Sequence, residues 1–412
     1  MTMHINRDRF LADMQAQAEI GATGDGGLSR PALSEADMQI RAWFADRAGT
    51  AGLELQEDGA ANQSAILRSH DPRAKTLIIG SHLDSVIHGG RFDGALGVVA
   101  ALETVRTIQD ANLSLPFHLA CINFTDEESR HFPLLGSSAL SGRLTESDLD
   151  TPRYSRDEFE AGMQRAGITT QSILSAARDP ESVLGYIEVH IEQGIRLESA
   201  GLQVGVVTSI VGIRGMWLHF TGEAAHAGAM PIADRKDAML GASTFTLQSR
   251  ERIRNDFFPG VVNVGQIDLK PGAFNIVPAQ VSIGVEYRHG ELDQLDAMQA
   301  ALIQIAEDAA RHHDLQLEIE HLSAVEPAPM DETMMTHLEQ TATALGLGHK
   351  RMMSFAGHDP QNMARIAPCA MYFVPSKDGI SHNPAEFTSD EDCVNAANVM
   401  LNTVLALAKQ QP

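Results

Sequence analysis

The sequence predicts an α/β protein with a mixed central sheet, interrupted by an inserted domain of ferredoxin-like β-α-β-β-α-β order. Three observations predict it. Short apolar runs alternate with helical runs through the first 125 residues, the pattern of strands covered by helices. Residues 210–325 carry a complete set of elements in a different order. At 412 residues the chain exceeds what one core organises, so two domains are expected.

In order, SEADMQIRAWFADRAG (34–49) opens on a serine cap and spaces Ile40, Trp43 and Phe44 as a helix does. Residues 53–68 read as two short strands about Asp58-Gly59. TLIIG (76–80) is a buried strand, ALGVVAALETVRTIQD (95–110) a helix, and FHLACINFT (117–125) a second buried strand. The middle region predicts strands over 216–222, 260–268, 279–287 and 315–323, with helices over 232–250 and 291–311. The proline-rich AVEPAPM (324–330) reads as a return linker. Beyond it come the helix MMTHLEQTATALG, the strand PCAMYFVP and a last helix DCVNAANVMLNTVLALAK. The expected division is 1–209 with 326–412 as one discontinuous domain, and 210–325 as the insert.

The chain has 54 acidic against 31 basic residues, a net charge of -23. Such a surface repels phosphate backbones and anionic lipid, which excludes nucleic acid and membranes as partners. No stretch approaches the ~18 continuous apolar residues of a membrane span, and the polar N-terminus has no signal-type apolar core. Cys121, Cys369 and Cys393 stand at no metal-ligand spacing, and a cytoplasmic, reducing location is expected.

Candidate ligands fall where predicted strands end, the usual site edge of an open α/β sheet. They are His82 and Asp84 after 76–80, Asp93 before the first long helix, Glu127 and Glu128 after 117–125, then His190 and His382. Each alone has a plainer reading: Asp93 as a helix cap, the glutamates as solvated loop charge, the histidines as satisfied interior groups. Together they are the set that two metal ions about 3.5–4 Å apart require: a bridging carboxylate, terminal imidazoles and carboxylates, and a free base. Two adjacent glutamates cannot easily point the same way, so one can hold metal while the other takes a proton from water.

Six segments in the right order, GSHLDSVIHGGRFDGALGV, FTDEESRHF, HIEQG, GEAAHAGAMPIADRKDA, NIVPAQV and GISHNPAE, resemble the hydantoinase/carbamoylase-type amidases of the M20 metallopeptidase-like group. The resemblance runs from about residue 75 to 390. It implies two divalent ions per subunit, zinc first, with manganese, cobalt or nickel as alternatives. His82, His190 and bridging Asp93 would hold one ion, and Asp93, Glu128 and His382 the other. Glu127 would be the general base, with Asp84 orienting His82 from behind. His226, Asn275, Arg288 and Gln193 match substrate-contacting positions, with His226 also stabilising the oxyanion. Arg288 also reads as one half of a surface ion pair in so acidic a chain. In related enzymes the inserted domain is a lid that pairs two subunits, and its histidine reaches into the partner's site, so a homodimer is expected. His358 in SFAGHDPQ resembles a loop near the active site.

The function implied is metal-dependent cleavage of a linear amide or carbamoyl C–N bond in a small anionic, carboxylate-bearing substrate such as an N-carbamoyl-L-amino acid. A histidine at 190 is similar to the amidase branch, where peptidase and aminoacylase relatives carry a carboxylate. An allantoate- or ureidoglycolate-type substrate, an aminoacylase or dipeptidase, and a non-catalytic binding protein remain as alternatives. Two positions depart from the family pattern. Ser129 follows the paired glutamates where a glycine is usual, and Ala229-Met230 replace two threonines after HAG.

Overall fold

The computed structural model describes residues 2–322 and 324–410. Along the chain run α1 (Arg7–Ala18), α2 (Glu35–Thr50), β1 (Glu54–Glu57), β2 (Gln63–Leu67), β3 (Thr76–His82), α3 (Ala95–Asp110), β4 (His118–Phe124), α4 (Leu135–Leu140), α5 (Arg156–Ala166) and α6 (Thr170–Leu174). Next come β5 (Val183–Ile191), α7 (Arg196–Ala200), β6 (Val204–Ile210), β7 (Gly212–Thr221), α8 (Ala238–Asp256), β8 (Val261–Lys270), β9 (Gln280–His289), α9 (Leu292–His312) and β10 (Gln316–His321). The last elements are β11 (Ala328–Pro329), α10 (Glu332–Ala344), β12 (His349–Ser354), α11 (Pro360–Met363), β13 (Cys369–Val374) and α12 (Asp390–Ala408).

These elements form two compact units. The larger takes in the chain up to Thr208, Met330–Met352, and everything from Gly357 onward. Its sheet runs β1-β2-β4-β3-β5-β13-β6. The central pairs β4/β3, β3/β5 and β5/β13 are parallel, while β1, β2 and β6 pair antiparallel, so the sheet is mixed. Strands β3, β4 and β13 are buried at every position, which is why they read as unbroken apolar runs. Helix α3 packs on β3 and against α12 and α1, and nearly all of its residues are buried. The three cysteines are free and buried.

The smaller unit is Ser209–Pro329 with Met353–Ala356; the sequence division places Ser209, residues 326–329 and this tetrapeptide in the larger domain. Its antiparallel sheet has the order β10-β7-β9-β8. Alternation along β7 and β9 sends Met216, Leu218, Phe220, Val281, Ile283 and Val285 to one face, against Phe245 and Ile253 of α8 and Leu295, Met298 and Leu302 of α9.

Element types match the sequence reading, but boundaries moved. The helix expected from 232 begins at Ala238, because Ile232–Asp234 forms one 3-10 turn and Asp237 caps the α-helix proper. The end of the strand expected to reach 323 lies outside the described residues. Helix α1 was not foreseen; Asn6 caps it, and only Phe10, Asp13, Met14 and Gln17 turn inward.

Candidate metal centre

All six expected metal and base residues of the larger unit meet at the C-terminal ends of its strands. His82 ends β3 and His190 lies one residue from the end of β5. Glu127 and Glu128 come just after β4, and Asp93 sits on the loop into α3. Two groups of ligand atoms converge: His82, Asp93 and His190 in one, Asp93, Glu128 and His382 in the other. Asp93 divides between them. Its Oδ1 lies 3.0 Å from His190 Nε2 and 3.6 Å from His82 Nε2, and its Oδ2 lies 3.6 Å from His382 Nε2. Glu128 Oε2 completes the second group at 3.4 Å from His382 Nε2. Glu127 Oε2 lies 3.5 Å from His82 Nε2 but belongs to neither group.

The imidazole tautomers are set by their neighbours. His82 Nδ1 is 3.0 Å from the Asp84 carbonyl and His190 Nδ1 is 2.9 Å from the Ile191 carbonyl. A carbonyl only accepts, so each Nδ1 carries a proton and each Nε2 is the ring nitrogen turned to the cluster. Among the described residues, His82 Nε2 and Glu128 Oε1 are buried with no hydrogen-bond partner. Such orphaned atoms in a convergent set of imidazoles and carboxylates fit divalent cations of the zinc, manganese, cobalt and nickel kind.

The electrostatics point the same way. Burial first, then the carboxylates of Asp359 and Glu128, holds Glu127 well above the usual carboxylate range. Burial and then Asp93 do the same for Glu128. Burial pushes Asp93 upward, but His190 and His82 outweigh it and hold it far below. His190, lowered by burial and raised more by Asp93, stands at about 9, while burial takes His82 down to about 4. The cluster is short of positive charge, which two cations would supply.

Asp84 differs from expectation. Its backbone carbonyl, rather than its carboxylate, sits at hydrogen-bond distance from His82; the carboxylate oxygen is 3.7 Å from Nδ1. The carboxylate instead accepts from the amides of Glu127 at 3.4 Å and Glu128 at 3.3 Å, and so ties the two ligand loops together. Asp93 is not the cap of α3 either. Gly94 takes that position at φ +62°, and a side chain there would collide with the His82 ring. Gln193 is drawn inward, its Nε2 donating to Asp93 Oδ2 at 2.8 Å. Asp126 accepts from the amides of His131 and Phe132 and shapes the turn.

Three residues near the cluster escaped the sequence reading or received no role there. Glu386 accepts from the amides of Phe92 and Asp93 at 2.9 and 3.1 Å, fixing the bridging loop, and Ser381 donates to Asp93 Oδ2 at 2.8 Å. Both lie in the GISHNPAE segment beside His382, so the signal was present. His358 is buried, its ring 4.5 Å from that of His190, and neither ring nitrogen has a hydrogen-bond partner among the described residues.

The remaining predicted residues belong to the smaller unit. His226 is exposed, its Nδ1 accepting from the amides of Gly228 and Ala229 at 3.1 Å. Asn275, also exposed, is joined to it through the Ala227 amide, which donates to the Asn275 carbonyl at 2.9 Å. Arg288 is engaged within its own unit, with Glu286 at 2.7–2.8 Å and the Phe355 carbonyl at 2.8 Å. The ion-pair alternative is therefore realised, with a neighbour two residues back on the same strand face.

A mixed α/β unit with imidazoles and carboxylates converging at its strand ends defines a metallopeptidase-like hydrolase. The chain belongs to the peptidase family M20/M25/M40, whose model matches residues 78–406. It is 34% identical to the N-carbamoyl-L-amino acid amidohydrolase of Geobacillus stearothermophilus over 98% of this chain and 99% of that one. It is 30% identical to the allantoate amidohydrolase of Bacillus subtilis (strain 168), with 90% of each chain covered. The crystal structure of an amidase of the hydantoinase/carbamoylase family from Burkholderia multivorans superposes with a TM-score of 0.90 at 31% identity, covering 99% of both chains.

Proposed function

We propose that the protein is a metal-dependent amidohydrolase that cleaves the carbamoyl C–N bond of a small carboxylate-bearing substrate, an N-carbamoyl-L-amino acid. The observation that carries this reading is Asp93, shared between two ligand groups of which one contains His190 instead of a carboxylate. His82, His190 and Asp93 would hold one ion and Asp93, Glu128 and His382 the other; when bound, such ions supply Lewis acidity and lower the pKa of water.

Glu127 is the base in this reading. It is buried, beside the ligands but in neither group, and its raised proton affinity suits it to take a proton from the attacking water and return it to the leaving nitrogen. Asp84 holds the Glu127 and Glu128 amides, and Glu386 holds Asp93. Gln193, with Oε1 buried and unpartnered among the described residues, keeps an acceptor for substrate. His226 and Asn275 are assigned to the carbonyl and carboxylate ends of the substrate, and their exposure supports this. Arg288 would bind the substrate carboxylate by exchanging its contacts with Glu286 for a bidentate pair. Addition of one water to a carbamoyl amino acid gives the amino acid, carbon dioxide and ammonia.

The smaller unit is read as a ferredoxin-like lid and dimerisation domain, spanning 210–325 in the sequence division. Its element order and the sheet order β10-β7-β9-β8 support this, as does β8, an edge strand with Val261 and Ile267 exposed. A second copy of this chain is the proposed occupant. A cytoplasmic location is supported by three unpaired cysteines.

The test is a substrate panel on metal-stripped protein reloaded with zinc, manganese, cobalt or nickel. Ammonia release from N-carbamoyl-L-amino acids, absent without metal, is the expected result. Turnover confined to N-acyl amino acids or dipeptides overturns the assignment. The allantoate amidohydrolase relative supports ureido acids as a second arm, and a preference for allantoate would move the substrate class accordingly.

A further inference from the structure

We propose that two buried arginines, Arg30 and Arg41, are positioning residues that set the ligand-bearing loops of the metal centre. This rests on the metal reading above. Both precede residue 78, where the family match begins.

Arg30 is 1% exposed, yet every one of its acceptors is neutral. Its guanidinium donates to the Leu83 carbonyl at 2.7 Å, the Gln17 and Ile20 carbonyls at 2.8 and 3.0 Å, and Gln17 Oε1 at 3.0 Å. Its backbone pairs with Ser85 in both directions: the Arg30 amide donates to Ser85 Oγ at 3.0 Å, and its carbonyl accepts from the Ser85 amide at 2.9 Å. The segment directly after His82 is thus held at three points. Gln17 carries the brace further, donating from Nε2 to the Arg91 carbonyl at 2.8 Å, two residues before Asp93.

Arg41 serves the other loop. It donates to Asp37 Oδ2 at 2.9 Å, to the Ala61 carbonyl at 2.5 Å, and to Thr125 Oγ1 at 2.8 Å. Thr125 leads directly into Asp126, Glu127 and Glu128.

An arginine buried without a carboxylate at contact distance is costly to fold around. Burial draws Arg30 down to about 10, and the more distant charges of Asp37 and Asp84 oppose that. A core that only needed filling would be served by an apolar side chain. A planar fork with five donors is what ties several backbone carbonyls into one geometry. The positive charges of Arg30 and Arg41 also act on the carboxylate of Asp84, which lies between the two loops.

The experiment compares zinc affinity, by competition with a chromophoric chelator, and the visible spectrum of cobalt(II)-loaded protein. The variants are Arg30→Met, Arg41→Met, Gln17→Met and Thr125→Val. The last two each delete a single side chain's bonds and keep the fold testable if an arginine variant does not fold. Urea midpoints of the metal-free proteins measure stability separately. The expected result is zinc affinity weakened about tenfold or more, as for other outer partners of metal ligands, with a changed cobalt spectrum. Gln17→Met and Thr125→Val should do this in protein that still unfolds cooperatively in urea, with midpoints lowered by the buried guanidinium donor each leaves unpaired. Affinity within about twofold of the parent and an unchanged spectrum in those two variants would overturn the proposal. If the parent itself binds neither zinc nor cobalt, the metal reading fails first, and that outcome is distinct.

Discussion

His190 Nε2 stands 3.0 Å from Asp93 Oδ1, and the other oxygen of the same carboxylate turns toward His382. One side chain therefore belongs to both ligand groups, and removing it is not equivalent to removing a terminal ligand. Asp93→Ala should lose both metal ions, whereas His382→Ala should lose one. Metal content per chain after dialysis, by mass spectrometry, separates the two. Full occupancy in Asp93→Ala would contradict a shared bridge.

Glu127 sits 3.5 Å from His82 yet in neither ligand group. Glu127→Gln should keep the metal content of the parent and lower kcat by about 10²–10⁴-fold, the usual worth of a positioned base. KM should change little. A variant that turns over at the parental rate would remove Glu127 from the mechanism.

Ser129 adopts φ +59°, in the left-handed region that favours glycine. A glycine would adopt this conformation without the steric cost that a Cβ adds. Ser129→Gly should raise stability by about 0.5–1 kcal/mol, the left-handed penalty less the entropy of a glycine. Loss of the 3.3 Å bond from Ser129 Oγ to the Glu127 carbonyl trims that gain. Urea denaturation measures it; a destabilised variant would show that the hydroxyl outweighs the backbone.

His131 packs against Phe159, with Nε2 3.2 Å from the Ala32 carbonyl, and burial lowers its pKa. The unfolded chain then binds the proton more readily. Its contribution to stability is full above the unfolded value of about 6.5 and is lost as pH falls from there toward the folded value. His131→Phe should flatten this part of the acid-side decline. The readout is the unfolding midpoint at a series of pH values; parallel curves for parent and variant would exclude the effect.

Strand β8 ends the smaller sheet with Val261 and Ile267 exposed. If a second copy covers this edge, Val261→Lys with Ile267→Lys should convert a dimer to a monomer in analytical ultracentrifugation. A monomeric parent would sink the dimer reading.

Much of this was legible in the sequence because it depends on local pattern. The burial of β3, β4 and β13 shows as unbroken apolar runs, and the period-two alternation of β7 and β9 shows as a half-buried sheet. The types and spacing of His82, Asp93, Glu127, Glu128, His190 and His382 marked the candidate centre. These residues fall at strand ends, and parallel strands deliver their C-terminal ends to one edge.

What only the tertiary structure decided depends on which backbone atoms lie beside which side chains. Asp84 offers His82 its carbonyl and spends its carboxylate on two amides from another loop. Arg288 meets Glu286 across two residues of one strand face. Glu386 reaches the amides of Phe92 and Asp93 from nearly 300 positions away, and Arg30 reaches Leu83 from an N-terminal segment that the sequence left unassigned. A sequence states which groups can donate and accept. Only the closed chain pairs them, because burial leaves each polar atom few partners and the fold selects among them.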